Sequence, residues 1–320
     1  MKAIRHLAGA CVLGLALGLG AAAAAEPVKT TVTIWSEGTR LAGDLYKPAD
    51  LQPGEKRPGI VLVNGFPGTK NGMARLGYAQ TFAEAGYITL FFDFRGWGES
   101  ESYYYTLEDP AEPDAEGNVT LKARAVRTVN DPIDRLADVQ SALDWLAGEP
   151  GVDSERLGLW GTSFGGGNVL YVGSRDPRVK AIVAQVPYMG AYDSPPEVIA
   201  HVQAQASRKA RGEIDPHAAN TDLEQGANGP SGARDLARYR FYEPLEMAKR
   251  SDTPTLIIDA KDEELFDRMI NGNAAHEILK ANGVPTEYRV VEGTHYAIYR
   301  AEAHKNATQW ALDWFNTHLK

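Results

Sequence analysis

The sequence predicts an α/β fold with a mostly parallel central sheet, and two patterns along the chain indicate it. Short, continuous apolar runs at residues 59–63, 87–92 and 181–186 are typical of strands that are buried on both faces of a parallel sheet. Helical segments separate these runs, and the clearest is residues 133–146, where apolar side chains recur at helical spacing. Because strands and helices alternate, we expect a doubly wound sheet with helices on both faces.

Residues 1–25 have the three parts of a secretory signal peptide. Lys2 and Arg5 supply positive charge, an apolar segment follows, and alanines at 23–25 precede Glu26. The strongly apolar segment is shorter than the roughly 20 residues that a membrane-spanning helix needs. We therefore predict cleavage before Glu26, export to the periplasm or the medium, and no stable membrane anchoring afterwards.

Charge and cysteine content exclude several classes of function for the mature chain. Loss of the predicted signal peptide takes the formal net charge from −9 to −11 and removes Cys11, the only cysteine. The mature chain therefore has no disulfide and no cysteine-based catalysis or metal site. An acidic chain is also a poor partner for nucleic acid, which attracts basic patches. The acidic stretch at residues 108–116 is interleaved with prolines and predicts a solvated loop, so we expect no metal and no cofactor.

The first elements of the mature chain flank the predicted sheet. Residues 28–35 and 40–46 each alternate apolar and polar side chains around a turn at Gly38, which predicts an antiparallel hairpin. The first buried strand follows, and residues 74–85 predict a helix. Nothing in residues 26–320 resembles a linker between independent domains, so we expect one domain.

Residues 189–251 interrupt the alternation of strands and helices. Their pattern is helical, polar and irregular, and a buried strand resumes only at residues 255–258. An insertion at this point is well placed to fold over a site at the sheet's edge, so we predict a lid. Its aromatic side chains, Tyr239, Phe241 and Tyr242, either line a substrate pocket or dock the lid on its base.

Residues 161–165, with the sequence GTSFG, are the strongest chemical signal in the chain. They follow a short apolar run and precede a segment that can form a helix, so Ser163 would lie on a sharp strand-to-helix turn. Glycines two residues away on either side allow the strand and the helix to pack closely, which is the pattern of a nucleophile elbow. Because the motif also arises by chance in a chain with 32 glycines, its chemical partners have to be found.

A serine hydroxyl is a weak nucleophile, and it needs a base that is itself oriented by a third group. The chain offers both downstream. Residues 259–264 form a carboxylate-rich loop after a buried strand, and His295 follows a last strand at residues 288–291. Open α/β sheets place their active sites at the carboxyl ends of parallel strands, so these groups are expected to meet there.

With a nucleophile, an acid and a histidine in this order, the chain resembles the α/β-hydrolase family over nearly all of its mature length. The resemblance implies the α/β-hydrolase fold, with the lid insertion placed before the acid-bearing strand, and a triad of Ser163, an acid and His295. Residues 93–100, DFRGWGES, are similar to a stretch found in members related to prolyl and acylaminoacyl peptidases and their esterase relatives.

The resemblance leaves two neighbouring residues as candidates for the acid. A gapless comparison with the family's usual strand end puts the acid at Glu263, which we favour, and Asp262 is the alternative. The rest of this acidic run is expected to be a solvated surface.

The resemblance also implies two backbone donors for an oxyanion. One is Phe164, which follows the nucleophile, and the other is Phe66, because residues 64–68, NGFPG, resemble the family's His-Gly-x-Pro turn. Asn64 replaces the usual histidine, which leaves the backbone role of the turn intact.

These features predict a serine hydrolase that cleaves carboxylic esters of a small-molecule acyl substrate through an acyl-enzyme. A peptidase of the dipeptidyl or acylaminoacyl kind, or a thioesterase, would use the same triad. The alternative from a different class is a catalytically silent binding module that keeps the fold, and the intact triad argues against it.

Overall fold

The computed structural model describes residues 25–126, 129–190, 195–214 and 233–320, and an eight-stranded sheet runs through its centre. Residues 1–24 of the proposed signal peptide lie outside the described residues, so its cleavage stays a prediction. In the described ranges no helix is both long and apolar enough to cross a membrane.

The described strands fall between Val28 and Val291. They are β1 (Val28–Ser36), β2 (Thr39–Lys47), β3 (Arg57–Val63), β4 (Ile88–Phe92), β5 (Tyr104–Thr106), β6 (Ala123–Ala125), β7 (Val129–Asn130), β8 (Val152–Thr162), β9 (Val179–Gln185), β10 (Ala233–Arg234), β11 (Thr255–Ala260) and β12 (Thr286–Val291).

The described helices alternate with these strands. They are α1 (Lys70–Ala74), α2 (Tyr78–Glu84), α3 (Pro132–Gly148), α4 (Phe164–Gly173), α5 (Pro196–Ala210), α6 (Leu236–Tyr239), α7 (Pro244–Ala248), α8 (Gly272–Ala281) and α9 (Ala301–Leu319), with a 3₁₀ helix at His295–Tyr299.

The order of the strands in the sheet is that of a doubly wound α/β protein. From one edge to the other it reads β1-β2-β4-β3-β8-β9-β11-β12. The pairs from β4 to β12 are all parallel, whereas β2 is antiparallel to both β1 and β4. The predicted fold is therefore confirmed, with the N-terminal hairpin at one edge of a mostly parallel sheet.

Each face of the sheet is covered by its own hydrophobic core. On one face, α3, α4 and α8 pack on the sheet through buried side chains such as Val139, Leu170 and Leu279. On the other face, α2 and α9 pack through Phe82 and Phe315, whose rings meet edge to face at 5.7 Å. A sheet that is buried on both sides explains the continuous apolar runs of its inner strands.

The single helix predicted at residues 74–85 is wrong. α1 already ends at Ala74, and a new helix begins at Tyr78 after Gly77, whose φ is 74°. This left-handed conformation suits glycine and cannot continue a right-handed helix, so the chain turns there. The helix predicted at residues 133–146 is confirmed as α3, which Asp131 caps by accepting a hydrogen bond from the Ile133 backbone at 2.8 Å.

The described parts of the proposed lid, residues 189–251, contain α5, β10, α6 and α7. β10 pairs with β7, which lies just before α3, and α7 packs against α4. These contacts place the described part of the segment beside the helix that follows the predicted nucleophile.

Candidate active site

Ser163 lies on the turn between β8 and α4, at the carboxyl end of a central strand. Its backbone has φ 55° and ψ −123°, a conformation that residues other than glycine rarely adopt. Its N–H donates to Gln185 O at 2.8 Å, and its carbonyl accepts from the backbone of Tyr188 at 3.0 Å. Neighbouring backbone thus holds a strained turn that presents the Ser163 side chain at the edge of the sheet.

The two glycines of the motif are required by close contacts between backbone segments. A Cβ at Gly161 would lie 2.3 Å from the carbonyl oxygen of Gly165. A Cβ at Gly165 would lie 2.3 Å from the carbonyl oxygen of Val63 and 2.5 Å from that of Asn64. The elbow is therefore pressed against the end of β3, and no side chain fits in between.

The turn after β3 lies directly on the predicted nucleophile. A Cβ at Gly65 would lie 2.8 Å from the Ser163 Cβ, so the Phe66 backbone that follows is close to the serine. Phe164 begins α4, where a backbone N–H has no acceptor in a preceding helical turn. Of the two residues predicted as oxyanion donors, Phe164 thus follows the serine directly and Phe66 follows the glycine that lies against it.

The Asn64 side chain has a structural contact. It is fully buried, and its Nδ2 donates to the carbonyl oxygen of Phe92 at 3.1 Å. This hydrogen bond joins the turn after β3 to the end of β4.

His295 begins the 3₁₀ helix after β12, and its ring is held by a carboxylate. Its Nδ1 lies 2.7 Å from Glu263 Oε2, and the two side chains are only 2% and 1% exposed. A carboxylate on Nδ1 fixes the tautomer, so Nε2 is the ring nitrogen that can accept a proton.

Asp262, the alternative acid, is exposed, and its backbone N–H donates to Gly293 O at 2.9 Å. Of the two candidates, the structure therefore brings Glu263 to His295.

Glu264 is a site residue that the sequence analysis missed. It is exposed, as expected of that acidic run, but its Oε2 accepts a hydrogen bond from the His295 backbone N–H at 2.7 Å. This bond is the main cause that lowers the pKa of Glu264 below its usual value. Nothing in the spacing of three consecutive carboxylates distinguishes the one that binds a backbone from its neighbours.

A second buried carboxyl, Asp259, lies at the end of β11 near the Glu263–His295 pair. Its Oδ2 accepts a hydrogen bond from the Tyr288 hydroxyl at 2.8 Å, and Tyr288 in turn accepts one from Arg268 at 2.8 Å. Burial, with a smaller contribution from repulsion by Glu263, raises the pKa of Asp259 to about 7. Asp259 therefore stays partly protonated at neutral pH, and its described hydrogen bond goes to Tyr288.

The histidine side and the serine side of the site are joined by a direct hydrogen bond. Thr162 Oγ1, just before Ser163, lies 2.7 Å from the hydroxyl oxygen of Tyr299, which shares the 3₁₀ helix with His295. The rings of Tyr299 and His295 meet edge to face at 6.3 Å. In the described chain no hydrogen bond joins the Ser163 hydroxyl to His295, and such contacts often tighten only when a substrate is bound.

Aromatic rings form one wall of the site. The Phe164 ring stacks on Tyr242 with centroids 4.9 Å apart and lies 5.5 Å from Tyr239. Tyr242 is buried and donates from its hydroxyl to Phe164 O at 3.3 Å, while Phe241 is exposed. Tyr239 and Tyr242 therefore dock their segment onto the nucleophile helix, and Phe241 lies outside this contact.

The geometry supports nucleophilic acyl transfer. It combines a serine on a strained turn with an imidazole whose Nδ1 lies against a buried carboxylate, and the two residues predicted as oxyanion donors lie near the serine. Among the residues described, no group of three or more His, Cys, Asp or Glu side chains is arranged to hold a metal ion.

Comparison with known proteins shows the family of this chain. A sequence model of the X-Pro dipeptidyl-peptidase (S15) family matches residues 37–295. An uncharacterized 31.7 kDa protein of Escherichia coli, from the traX-finO intergenic region, is 26% identical over 82% of this chain and 92% of its own length. Thiohydrolase aneE of Aspergillus aculeatus is 26% identical over 67% of this chain and 61% of that protein.

One solved structure shows the same fold without close sequence similarity. The α/β hydrolase GrgF of Penicillium sp. sh18 superposes with a TM-score of 0.66 at 18% identity, covering 91% of this chain and 99% of that one.

Proposed function

This chain belongs to the X-Pro dipeptidyl-peptidase (S15) family, within the α/β-hydrolase superfamily of serine hydrolases, and we propose that it hydrolyses carboxylic esters through an acyl-enzyme on Ser163. His295 acts as the base and then as the acid, and Glu263 orients and stabilises its imidazolium. The backbone N–H groups of Phe66 and Phe164 bind the oxyanion.

The observation that carries the proposal is the buried pair of Glu263 and His295 beside the serine elbow. A carboxylate 2.7 Å from Nδ1 stabilises the imidazolium that forms when His295 takes the proton of the Ser163 hydroxyl. Both side chains of the pair are buried, at 1% and 2% exposed. Together with the strained φ of 55° at Ser163, they fit a nucleophile and its activator.

The reaction follows from these positions. The Ser163 oxygen attacks the ester carbonyl while its proton moves to His295 Nε2, and the negative charge develops on the carbonyl oxygen between Phe66 N–H and Phe164 N–H. Collapse of this intermediate expels the alcohol, which takes the proton from His295. Water then attacks the acyl-enzyme by the same route and regenerates the Ser163 hydroxyl.

One contact favours an ester over the substrate named by the family. A peptidase that removes dipeptides must bind a free ammonium group, which calls for carboxylates beside the nucleophile. On the serine side the charged side chain packed against Phe164 is a cation, Arg135, whose Cζ lies 4.5 Å from the ring centroid. On the histidine side the exposed carboxylate of Glu264 is bound to the His295 backbone. The positive charge of Arg135 repels an ammonium group.

A thioester is the second candidate substrate. Aspergillus aculeatus aneE is a thiohydrolase by name, and it matches two thirds of this chain. A thioester is attacked by the same serine and needs no additional group.

The proposal is tested with 4-nitrophenyl butyrate, an acyl thioester and an Xaa-Pro 4-nitroanilide. Ser163→Ala should lower kcat for the ester by about 10⁴-fold or more and abolish labelling by a fluorophosphonate. Ser207→Ala is the matched control, because Ser207 bonds only within its own exposed helix. Full activity of Ser163→Ala would exclude the mechanism, and faster turnover of the anilide would make the protein a peptidase.

We also propose that residues 1–25 direct export and that residues 189–251 form a lid. The first proposal rests on the charge and hydropathy of the leader, and the second on the position of the segment beside α4. A mature protein that begins at Glu26 by mass spectrometry of the exported fraction would support the first proposal. A full-length N-terminus would contradict it.

A further inference from the structure

Arg135, near the start of α3, is a buried charged residue that the proposed mechanism does not use. It is only 2% exposed, and its three guanidinium nitrogens have no hydrogen-bond partner in the described chain. A guanidinium carries five N–H donors, and burying a charge without partners is strongly unfavourable. A group of this kind needs an explanation in the fold or in a ligand.

A neighbouring arginine shows how this protein satisfies a guanidinium that serves the fold. Arg95 is also buried, and it donates from Nε and Nη2 to Asp138 Oδ1 at 2.8 Å and 2.6 Å. It also donates from Nη2 to Ser36 at 2.9 Å. Asp138 is engaged by Arg95 and makes no hydrogen bond to Arg135.

Three aromatic rings pack against the Arg135 guanidinium. Its Cζ lies 3.7 Å from the ring centroid of Trp97, 4.4 Å from that of Phe94 and 4.5 Å from that of Phe164. Ring faces attract a cation, but they do not replace the hydrogen bonds of a carboxylate. Burial lowers the pKa of Arg135 to about 9, so the group keeps its positive charge at neutral pH.

Aromatic contacts connect Arg135 to both residues that we propose as oxyanion donors. The Phe164 ring contacts the guanidinium, and the Phe164 backbone follows the nucleophile directly. On the other side, the Trp97 ring contacts the Phe66 ring edge to face at 5.7 Å. Two aromatic side chains thus connect the unpaired cation to the place where the ester carbonyl would be attacked.

We propose that Arg135 binds a carboxylate on the acyl part of the substrate, which makes the site selective for esters whose acyl chain ends in a carboxylate. This inference rests on the proposed function. A carboxylate matches the planar fork of a guanidinium with two parallel hydrogen bonds and neutralises its charge. A half-ester of a dicarboxylic acid places this anion at one end of the chain and the scissile carbonyl at the other.

The experiment compares two esters that differ in one charge, 4-nitrophenyl hydrogen adipate and 4-nitrophenyl methyl adipate. In Arg135→Met, the ratio of kcat/KM for the anionic ester to that for the neutral ester should fall by about tenfold or more relative to wild type. Arg135→Lys should keep part of the preference, because it retains the charge without the fork. An unchanged ratio in Arg135→Met would overturn the inference.

Arg238→Gln is the matched control, because it removes a partly exposed cation that pairs with Asp131 at 2.7 Å. Its ratio should equal that of wild type, and an equal fall in both variants would show a general charge effect and overturn the inference. Turnover of the neutral ester reports on the proposed function independently. If wild type cleaves neither ester and a fluorophosphonate leaves Ser163 unlabelled, the proposed function itself fails.

If Arg135→Met does not fold, a measurement on the wild-type protein tests the inference instead. Adipate should inhibit hydrolysis of the neutral ester at least about tenfold more strongly than adipamide, which has the same length and no charge. Equal inhibition by adipate and adipamide would overturn the inference.

Discussion

The serine side and the histidine side of the site are held in place by different forces. On the serine side, backbone segments approach so closely that a Cβ at Gly165 would lie 2.3 Å from Val63 O. On the histidine side, carboxylates hold the ring and the backbone of His295 at 2.7 Å each. The serine side therefore requires glycines, which leave room for close backbone packing, and the histidine side requires charged carboxylates.

This difference determines which substitutions each side tolerates. The serine side should tolerate a change of charge nearby but should unfold when one methyl group is added to a packed glycine. The histidine side should tolerate small changes of side-chain volume but should lose activity when a carboxylate is replaced by an amide of the same shape. Four predictions test this distinction, and each pairs a site residue with a control of the same type.

The largest effect is expected from Glu263→Gln, which keeps the shape of the side chain and removes its charge. An amide cannot stabilise the imidazolium and favours the wrong tautomer, so kcat for the ester should fall by about 10³- to 10⁴-fold with little change in thermal stability. Asp262→Asn is the control, and its kcat should stay within about twofold of wild type. The described hydrogen bond of Asp262 goes from its backbone to Gly293, whereas Glu263 binds the His295 ring. A larger loss in Asp262→Asn would show that the acid is Asp262.

The serine side should fail by unfolding. Gly165→Ala puts a methyl group against two carbonyl oxygens that cannot move without breaking the end of β3, so chemical denaturation should show a loss of roughly 3 kcal/mol or more. Gly148→Ala, at the end of α3 with no atom within 4 Å of the new Cβ, should be neutral or more stable by about 0.5 kcal/mol. Equal stability of the two variants would refute a steric origin of the elbow.

Asp259 is a buried carboxyl on the histidine side that should affect stability rather than catalysis. Its pKa is raised to about 7 by burial, so between about pH 4 and pH 7 the folded protein holds a proton that the unfolded chain releases. Stability should therefore fall as pH rises through this window, by on the order of 2 kcal/mol between pH 5 and pH 8. Urea denaturation at both pH values should show that the free energy of unfolding changes less with pH in Asp259→Asn than in wild type.

The control for Asp259→Asn is Asp252→Asn, a change at an exposed aspartate just before β11. This variant should keep the wild-type dependence of stability on pH. If Asp259→Asn also kept the wild-type dependence, Asp259 would already be ionised in the folded state.

The smallest effect is expected from Glu264→Gln. The amide oxygen can still accept the His295 N–H, but the hydrogen bond loses its charge, so kcat should fall by roughly fivefold with KM unchanged. Glu292→Gln is the control and should leave kcat unchanged, because Glu292 is exposed and its ion pair among the described residues is with Lys261. A change in KM alone would indicate that Glu264 contacts the substrate instead of positioning the histidine.

The same contrast explains how much of the site was visible in the sequence. Close packing requires glycine at fixed positions in the sequence around Ser163, so the spacing of the elbow motif pointed to the nucleophile, and the glycines of residues 64–68 supported the resemblance that identified that turn. Hydrogen bonds between distant residues leave no such pattern. Three adjacent carboxylates could be assigned only by resemblance, and the bond of Glu264 to the His295 backbone needed the folded loop.

The fold was predictable for a similar reason, and its errors have a local cause. The strands of a sheet buried on both faces must be continuously apolar, which made β3, β4, β8 and β9 recognisable as buried strands. The helix predicted at residues 74–85 ignored Gly77, where one residue in a left-handed conformation interrupts an otherwise suitable pattern. Arg135 could not be recognised either, because helical spacing does not reveal that a cation lacks partners.

Gly167 in α4 constrains how segments of this protein could be exchanged with those of its relatives. A Cβ there would lie 2.0 Å from Tyr188 O and 2.3 Å from the Tyr242 hydroxyl oxygen, so the helix and both tyrosines form one interlocked unit. A chimera that imports another enzyme's specificity segment would therefore have to keep Gly167, Tyr188 and Tyr242 together. It would also have to keep Tyr239, whose ring lies 5.5 Å from that of Phe164.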